Sequence, residues 1–99
     1  MQSTIKKENN VLFIAVSGRL DTVTSAELKE RLDEEGFENV DIDFDFKEVE
    51  YISSAGLRLV LALHKAATES EKKLVIRNAN KVVTEIFRVS GFNKALNIV

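Results

Sequence analysis

Tyr51-Ile52-Ser53-Ser54-Ala55-Gly56-Leu57-Arg58 marks the point in this 99-residue chain where one structural period gives way to another. Upstream, Val40, Ile42, Phe44 and Phe46 alternate with Asp41, Asp43 and Asp45, the period of a strand with one apolar and one wet face. Downstream, Leu57, Val60, Leu61, His64 and Ala67 or Thr68 recur at helical spacing, and Leu59 and Leu63 widen the apolar arc. The spacing predicts a largely buried helix from Ser53 or Ser54 to Ser70. Lys47-Glu48-Val49-Glu50 reads as the link into the turn. Two hydroxyls and a glycine therefore sit where strand geometry becomes helix geometry. The first turn of a helix carries N–H groups without intrahelical partners, which a serine can cap and which tolerate added negative charge. Gly56 lowers intrinsic helicity there, which implies a close approach to the backbone.

The rest of the chain reads as the scaffold for that turn. Ser3 to Lys7 is an edge strand, and Asn9-Asn10 a turn, because Asn tolerates left-handed geometry. Val11 to Ser17 is β-branched and aromatic with both alternating sets apolar, which predicts a central strand rather than a half-exposed one. Gly18-Arg19-Leu20-Asp21 ends it. Thr22, Thr24 or Ser25 caps the next helix, whose stripe is Ala26, Leu28 and Leu32, and Gly36 stops it. Lys72 to Arg77 is another strand. Asn78 or Asn80 caps a helix containing Val82, Val83, Ile86 and Phe87, Gly91 ends it, and Ala95 to Val99 forms a terminal strand. Crossovers that contain helices imply parallel pairing after the first hairpin. The expected fold is α/β: one domain over residues 1–99, with a mixed, mostly parallel sheet of about five strands and about three helices mainly on one face.

Composition narrows the function classes. Hydrophobic residues make up 44% and charged residues 30%, ordinary for a globular protein. No uncharged apolar run is long enough to span a membrane, and Met1 to Lys7 is followed by no apolar signal core. With no cysteine there is neither a disulfide scaffold nor a thiolate metal site, which fits a reducing compartment and a cytoplasmic location. Net charge is -2 with Lys and Arg dispersed, which argues against nucleic acid as a partner. The default state is a monomer when free.

Catalysis is poorly supported. A nucleophile elbow reads G-x-S-x-G, but of Ile52, Ser53, Ser54, Ala55 and Gly56 only the last matches. The sole histidine, His64, lies in the apolar part of the following helix and reads as a core or boundary residue. No phosphate-cradling glycine motif is present, and no cofactor is implied. The Asp41, Asp43, Asp45 row invites a metal or general-acid reading. A strand with one wet face explains it as well, because no second carboxylate–histidine cluster completes a ligand set.

A serine that receives a phosphate needs no base on its own chain. Another protein supplies ATP and the transfer machinery, and this one presents a hydroxyl. Phosphate adds roughly -1.5 to -2 charge at a helix start, favoured by free N–H groups and opposed by Asp21 if the strand end meets this turn. The plainer reading of the same serine is a helix cap.

The chain resembles STAS-domain proteins of the anti-sigma factor antagonist type over essentially its whole length. The resemblance is carried by Val16-Ser17-Gly18-Arg19-Leu20-Asp21, the strand Val40 to Phe46, Tyr51 to Leu57, Asn78 to Phe87, and Ser90-Gly91-Phe92. It implies a non-catalytic protein that binds an anti-sigma factor with serine kinase activity, is switched off by that kinase at Ser54, and is restored by a PP2C-type phosphatase. It also implies that Asp21 is the acidic residue beside the modified serine. The expected partner surface is Asp21, Thr22, Ile52, Ser53, Ser54, Gly56, Leu57 and Arg58. Two positions depart from the family pattern: Ser53 stands in place of an aspartate, and Ala55 in place of a serine or threonine. Ser53 is thereby a rival target. The resemblance also extends to domains that serve in transport, lipid-transport and stress-signalling assemblies, sometimes with no phosphorylation, so the alternative is a constitutive interaction module.

Overall fold

The computed structural model describes residues 2–99, and its elements follow the two periods of the sequence. Strands β1 (Gln2–Glu8) and β2 (Val11–Leu20) precede helix α1 (Thr22–Glu35). Strand β3 (Asp41–Ile52) leads into α2 (Ser54–Glu69), and β4 (Leu74–Arg77) into α3 (Lys81–Val89). A short 3-10 turn, Phe92–Lys94, leads into β5 (Asn97–Ile98). The sheet order is β1-β2-β3-β4-β5, with β1 antiparallel to β2 and every other pair parallel. Asn9 and Asn10, at φ 51° and 65°, form the tight connection that makes the antiparallel pair. Each later strand returns through a helix, as parallel pairing demands.

The core lies on one face of this sheet. Leu12, Ile14 and Val16 of β2, Ile42, Phe44 and Phe46 of β3, and Leu74 and Ile76 of β4 are buried there beneath Leu28, Leu32, Val60, Leu63, Val83 and Phe87 of the helices. Phe44 and Phe46 meet edge to face with ring centroids 4.7 Å apart. The opposite face carries Asp41, Asp43 and Asp45, each half-buried, and Phe13, which is 39% exposed. Strand β2 is thus central by its pairing but half exposed by its faces, and the expectation of burial on both sides does not hold. With all three helices packed on the other side, no helix covers this face, where Val11 and Ala15 are half-buried and Phe13 exposed.

Several boundaries differ from the sequence reading, two of them for identifiable reasons. The cap of α1 is Asp21, not Thr22, Thr24 or Ser25. Its carboxylate accepts the N–H groups of Val23 and Thr24 at 3.1 and 3.0 Å, and the Thr24 hydroxyl accepts the Asp21 N–H at 2.9 Å, a reciprocal capping box. Ser25 is already inside the helix and buried. Lys47 to Glu50 is strand, not link. Ala15 pairs with Asp45 but Ser17 with Glu48, and Gly18 with Val49 but Arg19 with Tyr51. Each step inserts one extra residue into β3, a bulge that flips the alternation of faces. The buried positions accordingly run Phe46, Val49, Ile52, three apart instead of two. Elsewhere Asn80 rather than Asn78 caps α3, accepting the Val83 N–H at 2.8 Å, and the terminal strand is only Asn97–Ile98.

Candidate functional site

The two bulges carry β3 to the end of β2, and there the helix starts. The Ser53 N–H donates to the Leu20 carbonyl at 2.8 Å, fastening the end of one strand to the entry of α2. Asp21 and Ser54 each lie one residue beyond that bond, so they share this edge of the sheet. Gly56 explains how the helix comes so close. A Cβ at that position would lie 2.6 Å from Ile52 Cγ1, 2.8 Å from the Leu20 carbonyl oxygen and 3.1 Å from Leu20 Cβ. The close approach implied by the glycine is therefore made by the protein's own strand ends.

Ser53 caps α2 by backbone only. It is extended, at φ -93° and ψ 178°, and its carbonyl accepts the Leu57 N–H at 2.9 Å. Its side chain makes no capping bond, unlike Asp21 on α1 and Asn80 on α3. Instead the Ser53 hydroxyl is turned inward, buried and without a hydrogen-bond partner. The Ser54 side chain is exposed. Two adjacent serines, indistinguishable by residue type, are thus separated by burial.

Of the sequence-derived partner set, Asp21, Thr22, Ser54 and Arg58 reach the surface or its margin, with Ser53 half-buried between them. Ile52 and Leu57 do not present apolar area to a partner. They are 0% and 8% exposed and belong to the core, where they anchor the turn from beneath. Gly56 is buried as well and acts through the absence of a side chain. The Asp21 carboxyl is held below its ordinary value, chiefly by the Thr24 N–H, against an opposing desolvation, and further by the Thr24 hydroxyl, the Val23 N–H and the charge of Arg19. Sequence reasoning passed over Arg19 and Tyr51. They are register partners on β2 and β3, and the guanidinium lies 4.5 Å from the ring centroid. The bulge that sets this pairing is invisible to periodicity.

The chemistry of the remaining candidates is accounted for internally. Asp41 accepts the Lys73 N–H at 2.9 Å, Asp43 pairs with Arg77 at 2.7 Å, and Asp45 accepts from Asn78 and the Lys47 N–H, both at 2.9 Å. The Asn78 bond is the main cause of a lowered Asp45 carboxyl pKa. Among the described residues, no three acidic or histidine side chains are grouped to hold a metal ion. His64 is ten residues beyond Ser54 on the same helix, about 15 Å along its axis, out of reach as its base. No helix among the described residues is long and apolar enough to cross a membrane.

Known proteins with this arrangement are recognisable from the whole chain. The family model described as "Mlab, STAS domain" matches residues 3–99. BtrV of Bordetella bronchiseptica, provisionally named an anti-sigma factor antagonist, is 30% identical over 95 residues, which is 93% of this chain and 80% of the relative. A provisionally named anti-sigma factor antagonist from Thermotoga maritima superposes with a TM-score of 0.87 at 17% identity, over 97% of this chain and 84% of that one. The Bacillus cell fate determinant SpoIIAA in its phosphorylated form superposes at 0.76 and 16% identity, over 99% and 91% of the two chains. At such identities the superpositions speak for the fold alone.

Proposed function

Because the chain belongs to the STAS domain family, together with the anti-sigma factor antagonists, we propose that it is itself an anti-sigma factor antagonist whose binding is switched off by phosphate on Ser54. It is a binding protein and not an enzyme. Its partner in this reading is an anti-sigma factor with serine kinase activity, met in the cytoplasm. The kinase brings ATP; the Ser54 oxygen bonds to the γ-phosphorus, the bond to ADP breaks, and the hydroxyl proton passes to a base of the kinase. A PP2C-type phosphatase returns the hydroxyl by hydrolysis.

The observation that carries this reading is the split between the two serines: the Ser53 hydroxyl is buried, and Ser54 is exposed at a helix start that no side chain caps. A kinase can reach only one of them without unfolding the turn. The unmodified edge, with Asp21, Thr22, Ser54 and Arg58, is the contact surface. Phosphate there adds roughly -1.5 to -2 charge, which a closing interface must desolvate and which Asp21 opposes from the facing strand end.

Protein recovered from its own cells, stressed and unstressed, and mapped by intact mass and peptide fragmentation tests this directly. Phosphate on Ser54 with occupancy that changes between the samples is expected. Phosphate on Ser53 overturns the choice of residue, and none in either sample overturns the switch in favour of a constitutive interaction module.

A further inference from the structure

We propose that Arg58 holds the phosphate once Ser54 carries one, an inference that rests on the phosphoserine switch above. Ser54 and Arg58 are four residues apart on α2, so they stand about 40° apart around its axis and about 6 Å along it, the spacing at which side chains meet. Helical side chains lean toward the N-terminus, which tips the arginine back toward Ser54. The order also suits the charges, with the anion N-terminal to the cation.

Arg58 is uncommitted. Among the described residues, Arg77 and Arg88 are paired with Asp43 and Glu85, Arg31 donates to the Ser3 carbonyl, and Arg19 stacks on Tyr51. Arg58 is exposed, and among the described residues it has neither a salt bridge nor a side-chain hydrogen bond. Its planar fork matches phosphate oxygens, so a phosphate is the kind of group that can occupy it.

No carboxylate lines the groove beside Arg58 to compete for it. This shallow groove of about 320 Å3 opens between α1 and α2; Ala26, Ala55, Leu59 and Ala62 make its wall largely apolar, and Lys29 and Arg58 are its charged residues. Lys29 meets Asp33 at 2.9 Å in an exposed pair, an interaction weak enough to exchange. Arg58 is thus the cation without a carboxylate partner at this groove, in a chain of net charge -2. Asp21 is the opposing charge at the facing strand end, already engaged in capping α1. Phosphate on Ser54 therefore does more than add charge: it withdraws a free guanidinium from the surface a partner meets.

The test needs no kinase. Phosphoserine is installed at position 54 during synthesis, and its second ionisation is followed by 31P NMR in wild type, Arg58→Ala and Arg58→Lys proteins. The expected result is a phosphate pKa lower in wild type than in Arg58→Ala by about half a unit, the size that an exposed charge pair produces. Lysine keeps part of that shift, and raised salt shrinks it. Equal values in wild type and Arg58→Ala, with circular dichroism showing both folded, overturn the role of Arg58. Because the phosphate is built in, that result is independent of whether cells modify Ser54, which the phosphate mapping decides.

Discussion

Replacing Gly56 by alanine sets two effects of known sign against each other. Alanine is a better helix former than glycine by about 1 kcal/mol, which favours the variant. Against this, the new methyl would sit 2.6 Å from Ile52 Cγ1 and 2.8 Å from the Leu20 carbonyl oxygen. The second clash is the harder to relieve. That oxygen is backbone, in a strand within the sheet, and already accepts the Ser53 N–H at 2.8 Å. Relief therefore means lifting the start of α2 off the strand ends and loosening Ile52 and Leu57 beneath it. Overpacking of a tight site costs about 1 to 3 kcal/mol, and a rigid backbone neighbour places this case at the upper end. The net is a loss of about 2 kcal/mol, which for a domain of this size lowers the melting temperature by roughly 10 °C. Thermal and urea unfolding monitored by circular dichroism would measure it. A variant as stable as wild type, or more so, would show that helix propensity wins and refute the claim that the glycine is required for docking α2.

Two further outcomes follow from the same turn. Ser53→Ala removes a buried hydroxyl that has no partner, and an unsatisfied buried group costs about 1 to 3 kcal/mol, so the variant should unfold at the same temperature or higher; a clear drop would show that this hydroxyl contributes to the cap of α2. The second concerns acid. Asp21 and Asp45 have lowered folded-state pKa values, so their contribution to stability is complete above the ordinary aspartate value of about 4 and is lost as pH falls through the folded values. Urea midpoints should hold near neutrality and decline below about pH 4, and Asp21→Asn, which keeps a capping oxygen, should flatten part of that decline. An unchanged slope in the variant would remove Asp21 from this account.

The order of strands and helices was legible because each element has a strong local period. Val40 to Phe46 alternates cleanly, Asn9-Asn10 carries its own left-handed geometry, and Leu57 to Ala67 repeats at helical spacing. The misreadings cluster where local pattern stops being local. Lys47 to Glu50 reads as a link because two bulges stretch the buried spacing from two to three, and bulges are set by the neighbouring strand. The sequence points past Asp21 for the cap of α1 because four polar residues stand close together. Only backbone geometry selects which of them is extended at the helix entry.

At the candidate site, the sequence by itself determined that hydroxyls, a glycine and a following arginine would stand at a strand-to-helix turn. That much depends on residue types and spacing within one short stretch. Only the tertiary structure decided that Ser53 faces inward and Ser54 outward, that Ile52 and Leu57 anchor rather than contact, and that Arg19 stacks on Tyr51. The reason is physical: burial and cross-strand pairing are set by atoms on distant parts of the chain, here the end of β2 pressed against the first turn of α2.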